Sequence, residues 1–137
     1  MFLVKSAILL LLVFSLPYVH AEPPKKCSPV DTKRASLEAS HLPDWKSFYI
    51  SFKHYGYCDS PRLAEEYSYA ISRLLAHHWD QVDLLLDLAA QDHEFKHFVL
   101  RHVDEDIPEE EAQLILNNSR RHCPVDGEWL CKAIIDY

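Results

Sequence analysis

The chain has 137 residues, with 14 Lys and Arg against 21 Asp and Glu and a net charge of −7. Such acidity argues against nucleic acid, which needs a basic surface to neutralise phosphates, and equally against an anionic membrane surface. Its two glycines, Gly56 and Gly127, cannot serve the many tight turns of an all-β domain or form a Gly-rich phosphate loop.

Residues 1–21 carry Lys5, an apolar run from Ala7 to Leu16, and small side chains at Val19 and Ala21. This pattern predicts a secretory signal cleaved after Ala21. The run is shorter than the roughly 20 residues a bilayer span needs. All four cysteines follow the cut, so the mature chain is expected to be exported, soluble and oxidised. Removing residues 1–21 leaves 116 of the 137 residues and takes away one charge, Lys5, so the net charge moves from −7 to −8. That length suits one domain with a genuine core. An acidic surface also suits a basic protein partner, although solubility alone would account for it.

Residues 22–42 read as an N-terminal tail with a possible short helix over Asp31–Ala39, and residues 43–137 as the helical domain. After Pro43, the residues Trp45, Phe48, Tyr49 and Phe52 repeat at one helix face, and Gly56 is expected to end that helix. Ser60-Pro61 marks the next N-terminus, with a stripe of Leu63, Tyr67, Ile71, Leu74 and Leu75 running to about Trp79. Asp80 is placed to cap a helix that is apolar all round, from Val82 to Ala89, and hence central and buried. Asp92 can cap another, with Phe95, Phe98, Val99 and His102 on one face. Asp106-Ile-Pro-Glu109 starts a further helix with acids at the positive end of its dipole. Its stripe includes Ala112, Ile115 and Leu116, and Cys123-Pro124 stops it. Gly127 turns the chain into a last short helix carrying Leu130, Ala133 and Ile134. The expected fold is all-α, a compact bundle of about six helices with two disulfides.

Four cysteines allow three pairings. The favoured set is Cys123–Cys131, tying the last helix to its predecessor, and Cys27–Cys58, clamping the tail to the end of the aromatic helix. Zinc is the alternative, but neither CxxC nor His-xxx-His accompanies these cysteines.

His93-Glu94-Phe95-Lys96-His97 matches the H-E-x-x-H pattern, in which two histidines one turn apart bind zinc and the glutamate activates water. Phe95, Phe98, Val99 and His102 claim the buried face, which turns His93 and His97 away from it. Position 103, where a further histidine could ligate, is Val103; Glu128 is the best remaining ligand from a later helix. No metal site and no catalytic residue are therefore expected. His77 and His78 adjoin, so they point about 100° apart and do not share one ion readily, with His78 on the apolar stripe and His77 in water. No GxSxG elbow is present. Asn117-Asn118-Ser119 is a glycosylation sequon, silent in a bacterium.

Asp104, Glu105, Asp106, Glu109, Glu110 and Glu111 flank Ile107-Pro108. A solvated loop and helix start would explain such a run. The functional reading is an acidic protrusion, Asp104 to Glu110, whose Ile107 and Pro108 form a rigid apolar tip that docks on a partner's groove.

The stretch Tyr55-Gly-Tyr-Cys-Asp-Ser60, followed by Ala64-Glu-Glu-Tyr-Ser68, Leu74-Leu75 and Trp79-Asp80, carries a resemblance. So do Phe95-Lys-His-Phe-Val-Leu-Arg-His-Val-Asp104 and Asn118…Cys123-Pro124…Leu130-Cys131. Together they resemble the Rap/Tai family of immunity proteins, which protect bacteria from type VI secretion amidase effectors. The likeness runs from about Trp45 to Cys131. It implies an exported, all-α, disulfide-stabilised and commonly dimeric protein, not an enzyme, that needs no cofactor. Such a protein sits in the periplasm and blocks the catalytic groove of a peptidoglycan amidase, often with a projecting loop. A homodimer could place Trp129 or Tyr137 at its interface. Two other readings stay open: an exported carrier of a small apolar ligand, given 3 Trp, 7 Tyr and 6 Phe, and a zinc peptidase built on His93, Glu94 and His97.

Overall fold

A computed structural model describes residues 21–103 and 107–136. Seven α-helices follow in order: α1 Pro29–Ala39, α2 Trp45–Tyr55, α3 Pro61–His77, α4 Val82–Gln91, α5 His93–Arg101, α6 Glu109–Arg121 and α7 Glu128–Ile135. Short 3-10 turns occupy Gly56–Cys58, Trp79–Gln81 and Val125–Gly127. No strand occurs among the described residues, so the fold is all-α. The predicted secretory signal lies outside the described residues up to position 20.

Side-chain caps fix four helix starts. Ser28 and Asp31 form a reciprocal capping box on α1, with Ser28 Oγ accepting from Asp31 N–H at 3.1 Å. Asp44 caps α2 by accepting from Ser47 N–H at 2.7 Å, Ser60 caps α3, and Asp92 caps α5 through Phe95 N–H at 3.1 Å. Asp80 does not cap α4. It sits inside the Trp79–Gln81 turn, and Gln81 occupies the cap position without a side-chain bond. The extra turn puts one more residue between Asp80 and the helix start than a cap allows.

The core is organised by α3, which packs on α1 and α6, while α6 packs on α7 and α4 on α5 and α2. Leu63, Tyr67, Ile71, Leu74 and Leu75 of α3 are fully buried. Phe48 lies 6.1–6.2 Å from the rings of Tyr67, Phe95 and Phe98, which joins α2, α3 and α5 in one aromatic cluster. Helix α4 is not buried all round. Val82, Leu85, Leu86 and Ala89 face the core, whereas Leu84 is 39 % exposed. Asp83, Asp87 and Gln91, four residues apart and all exposed, mark the outer face of this helix, and Leu84 lies beside them. Ala35 and Ala39 of α1 are also buried, so this helix belongs to the core.

Both favoured disulfides are present: Cys27–Cys58 ties the segment before α1 to the turn after α2, and Cys123–Cys131 ties the end of α6 to α7. Gly56 does end α2, but in a right-handed conformation with φ −57°. Its glycine is required by packing: a Cβ there would stand 2.6 Å from the Phe52 ring.

Long side chains carry hydrogen bonds between helices. Arg73 Nη2 donates to the carbonyl of Leu42 at 2.6 Å. Asn118 Nδ2 donates to Leu75 O at 3.2 Å, and Trp79 Nε1 to His122 O at 3.1 Å. These last two tie the C-terminal end of α3 and the turn after it to the C-terminal end of α6.

Candidate functional site

Of the acidic run, Asp104, Glu105 and Asp106 lie outside the described residues. Ile107 is half-buried and packs against the core, so it does not form a free tip. Pro108 is exposed at the N-cap position of α6. Glu109 and Glu110 are exposed on the first turn, where the helix dipole favours their charge. Glu111 turns inward and lies 3.5 Å from His77 Nε2. The described part of the run therefore offers two free carboxylates on a firmly seated helix end.

The H-E-x-x-H residues occupy the first turns of α5. His93, Glu94 and His97 are all exposed, while Phe95 is fully buried. Glu128 is exposed at the start of α7. No group of three or more His, Cys, Asp or Glu side chains among the described residues is placed to hold one metal ion. Trp129 is half-buried against the core, with Lys96 Nζ 4.8 Å from its ring centroid; Tyr137 lies outside the described residues.

Ahead of this motif, Asp92 gathers three donors. Its Oδ1 caps α5, and its Oδ2 accepts from Tyr49 Oη and Lys53 Nζ, each at 3.0 Å. Burial alone would raise its pKa, but the bonds from Lys53, Phe95 N–H and Tyr49 outweigh burial and hold it below the ordinary carboxylate value. Lys53 is raised in turn by its bond to Asp92. This ion pair anchors α2 to the start of α5.

One constellation left only a partial trace in the sequence, the place of His102 on the apolar stripe. His102, on the turn that ends α5, lies 3.1 Å through Nε2 from Asp59 Oδ2 and 3.3 Å through Nδ1 from Ser68 Oγ. Arg101 Nη2 donates to the same Asp59 oxygen at 3.3 Å. The neutral tautomer with hydrogen on Nε2 satisfies the chain: Ser68 donates to the imidazole, and the imidazole donates to Asp59. The order Ser–His–Asp matches a hydrolytic triad in connectivity. Its placement does not: Ser68 is 6 % exposed and His102 3 %, with Tyr67 and Phe98 packed against the ring. A nucleophile must come within about 3–3.5 Å of a substrate carbon, which a buried mid-helix hydroxyl cannot do in the folded bundle. The cluster links α3, α5 and the residue after Cys58.

Burial pushes the His102 pKa below the ordinary imidazole value, against the opposing pull of Asp59. Burial also raises the Tyr67 phenol, with the nearby charges of Asp59, Glu38 and Glu66 adding to it. Only the apolar stripe hinted at this cluster, by placing His102 with Phe95 and Phe98. Asp59 and Ser68 are distant in sequence and carry no periodic signal.

No family model, curated protein or solved structure matches the chain. The two disulfides suit folding in an oxidising compartment. No helix among the described residues is long and apolar enough to cross a membrane.

Proposed function

We propose that this chain is a periplasmic immunity protein, similar to the Rap/Tai family, that binds a peptidoglycan amidase delivered by type VI secretion and occludes its active-site groove. The observation that carries the reading is the rigid acidic end of α6. Glu109 and Glu110 are exposed on its first turn, and that end is held by Ile107, packed on the core just before it, and by Glu111, 3.5 Å from His77 Nε2 on α3. Preorganised carboxylates lose little freedom on docking and steer a basic groove toward the inhibitor. The charge of −8 left once residues 1–21, with Lys5, are removed from the chain of −7 suits the same kind of partner. Occlusion needs neither a catalytic residue nor a cofactor, and a homodimer would present two such ends.

The test is binding and inhibition with the amidase encoded beside this gene. The oxidised chain should form a stoichiometric complex and stop hydrolysis of purified peptidoglycan. Glu109→Lys with Glu110→Lys should weaken binding by about tenfold or more, because charge reversal at an interface acts on both encounter and retention. No binding by the unmodified chain would make the immunity reading wrong. Unchanged affinity in the double variant would move the interface elsewhere.

A further inference from the structure

A second feature of α6 lies along its opposite flank. A groove of about 400 Å³ opens between α3, α6 and α7. That volume falls within the ~300–1,000 Å³ typical of small-molecule sites. Its walls are aliphatic, chiefly Leu75, Val103, Ile115, Leu116, Ile134 and Ile135. No aromatic ring among the described residues lines it, although the neighbouring α2–α5 core is rich in them. An aliphatic slot of this kind suits a flexible alkyl chain better than a flat ring.

Two polar side chains reach the groove. Ser72 is buried in its floor, and Arg120 is exposed at its edge. Arg120 pairs with no carboxylate among the described residues, although the chain carries 21 Asp and Glu. A guanidinium presents parallel donors that match one planar carboxylate.

We infer that this groove is a binding site for a fatty acid, with the alkyl chain laid between α6 and α7 and the carboxylate paired to Arg120. The groove borders the segment of the immunity reading through Ile107, but Glu109 and Glu110 do not line it, so charge reversal at those two residues and substitutions in the groove test the two readings separately.

The experiment is calorimetric titration of the oxidised chain with octanoate, decanoate and dodecanoate, each below its aggregation threshold. Affinity should rise along the series, by up to about fourfold per added methylene, the ratio set by burying one CH₂. Arg120→Gln should weaken dodecanoate by about tenfold or more while leaving dodecanol unchanged. Ala112→Phe, which places a ring in the groove, should abolish binding of both; circular dichroism and the unfolding midpoint report whether each variant folds. Arg120 is exposed, so its variant keeps the test alive if the ring disturbs packing. Affinity independent of chain length, or dodecanol and dodecyltrimethylammonium binding as tightly as dodecanoate, would overturn the proposal. Self-association that Ala112→Phe disrupts, with no fatty acid bound, would assign the groove to a second copy of the chain and overturn it too.

Discussion

His102 donates from Nε2 to Asp59 Oδ2 across 3.1 Å, joining the end of α5 to the residue that follows the disulfide-bonded Cys58. The contact spans 43 residues and is nearly sealed from water at the imidazole, which is 3 % exposed. Its chemistry makes the stability of the fold depend on pH.

Burial lowers the pKa of His102 in the folded state below the ordinary 6.5. Between the lowered value and 6.5 the unfolded chain binds a proton that the folded chain does not. The contribution is therefore complete above the unfolded pKa and is lost as pH falls through the folded one. One proton gives a slope of at most ~1.4 kcal/mol per pH unit. Urea unfolding between about pH 7.5 and about pH 5 should show this loss, and His102→Gln should flatten it. An equal slope in the variant would remove His102 as the cause.

The two disulfides should differ in worth. Cys27–Cys58 closes 31 residues and Cys123–Cys131 only 8. On chain entropy alone the longer closure is worth about 3.5–4 kcal/mol and the shorter about 2.5 kcal/mol. Replacing each pair by alanine and comparing urea midpoints checks the order. A larger loss from the shorter loop would show that native packing around α7 governs the effect.

Gly56→Ala should destabilise the chain by about 1–3 kcal/mol, because the new methyl meets the Phe52 ring at 2.6 Å. Phe52 has little freedom to retreat, with its ring centroid 5.2 Å from Phe95 and 5.0 Å from Phe98. Pairing the change with Phe52→Leu should reduce the additional cost of the alanine. Thermal unfolding of the single and double variants measures the coupling; full additivity would contradict the clash.

Asp92→Ala removes the α5 cap and the partners of Tyr49 and Lys53 together. The expected loss is about 1–2 kcal/mol, most of it from the cap. Asp92→Asn keeps a capping oxygen and should recover the larger part. If asparagine is as damaging as alanine by urea unfolding, the charge of the ion pair matters more than the cap.

Much of the fold was legible because helices announce themselves locally. The stripe from Trp45 to Phe52 and the Ser60-Pro61 and Asp92 starts depend on residues three or four apart, and the described helices begin where those signals stand. Asp80 misled because a cap and a 3-10 turn use the same polar residue types. Helix α4 misled because its run of leucines masked the Asp83, Asp87 and Gln91 spacing, four residues apart, that marks an exposed face. The acidic end of α6 was legible as charge, but the inward placement of Ile107 was not, since it depends on packing against the core.

The sequence by itself determined the all-α class and the outward direction of His93 and His97; it left three cysteine pairings open, and the fold brings Cys27 to Cys58 and Cys123 to Cys131. Both determined features rest on short-range periodicity. Only the tertiary structure decided that Asp59, Ser68 and His102 meet, and that α3, α6 and α7 leave an aliphatic groove edged by Arg120. Contacts between residues dozens of positions apart follow from how whole helices settle to fill a core, and no local pattern encodes that arrangement.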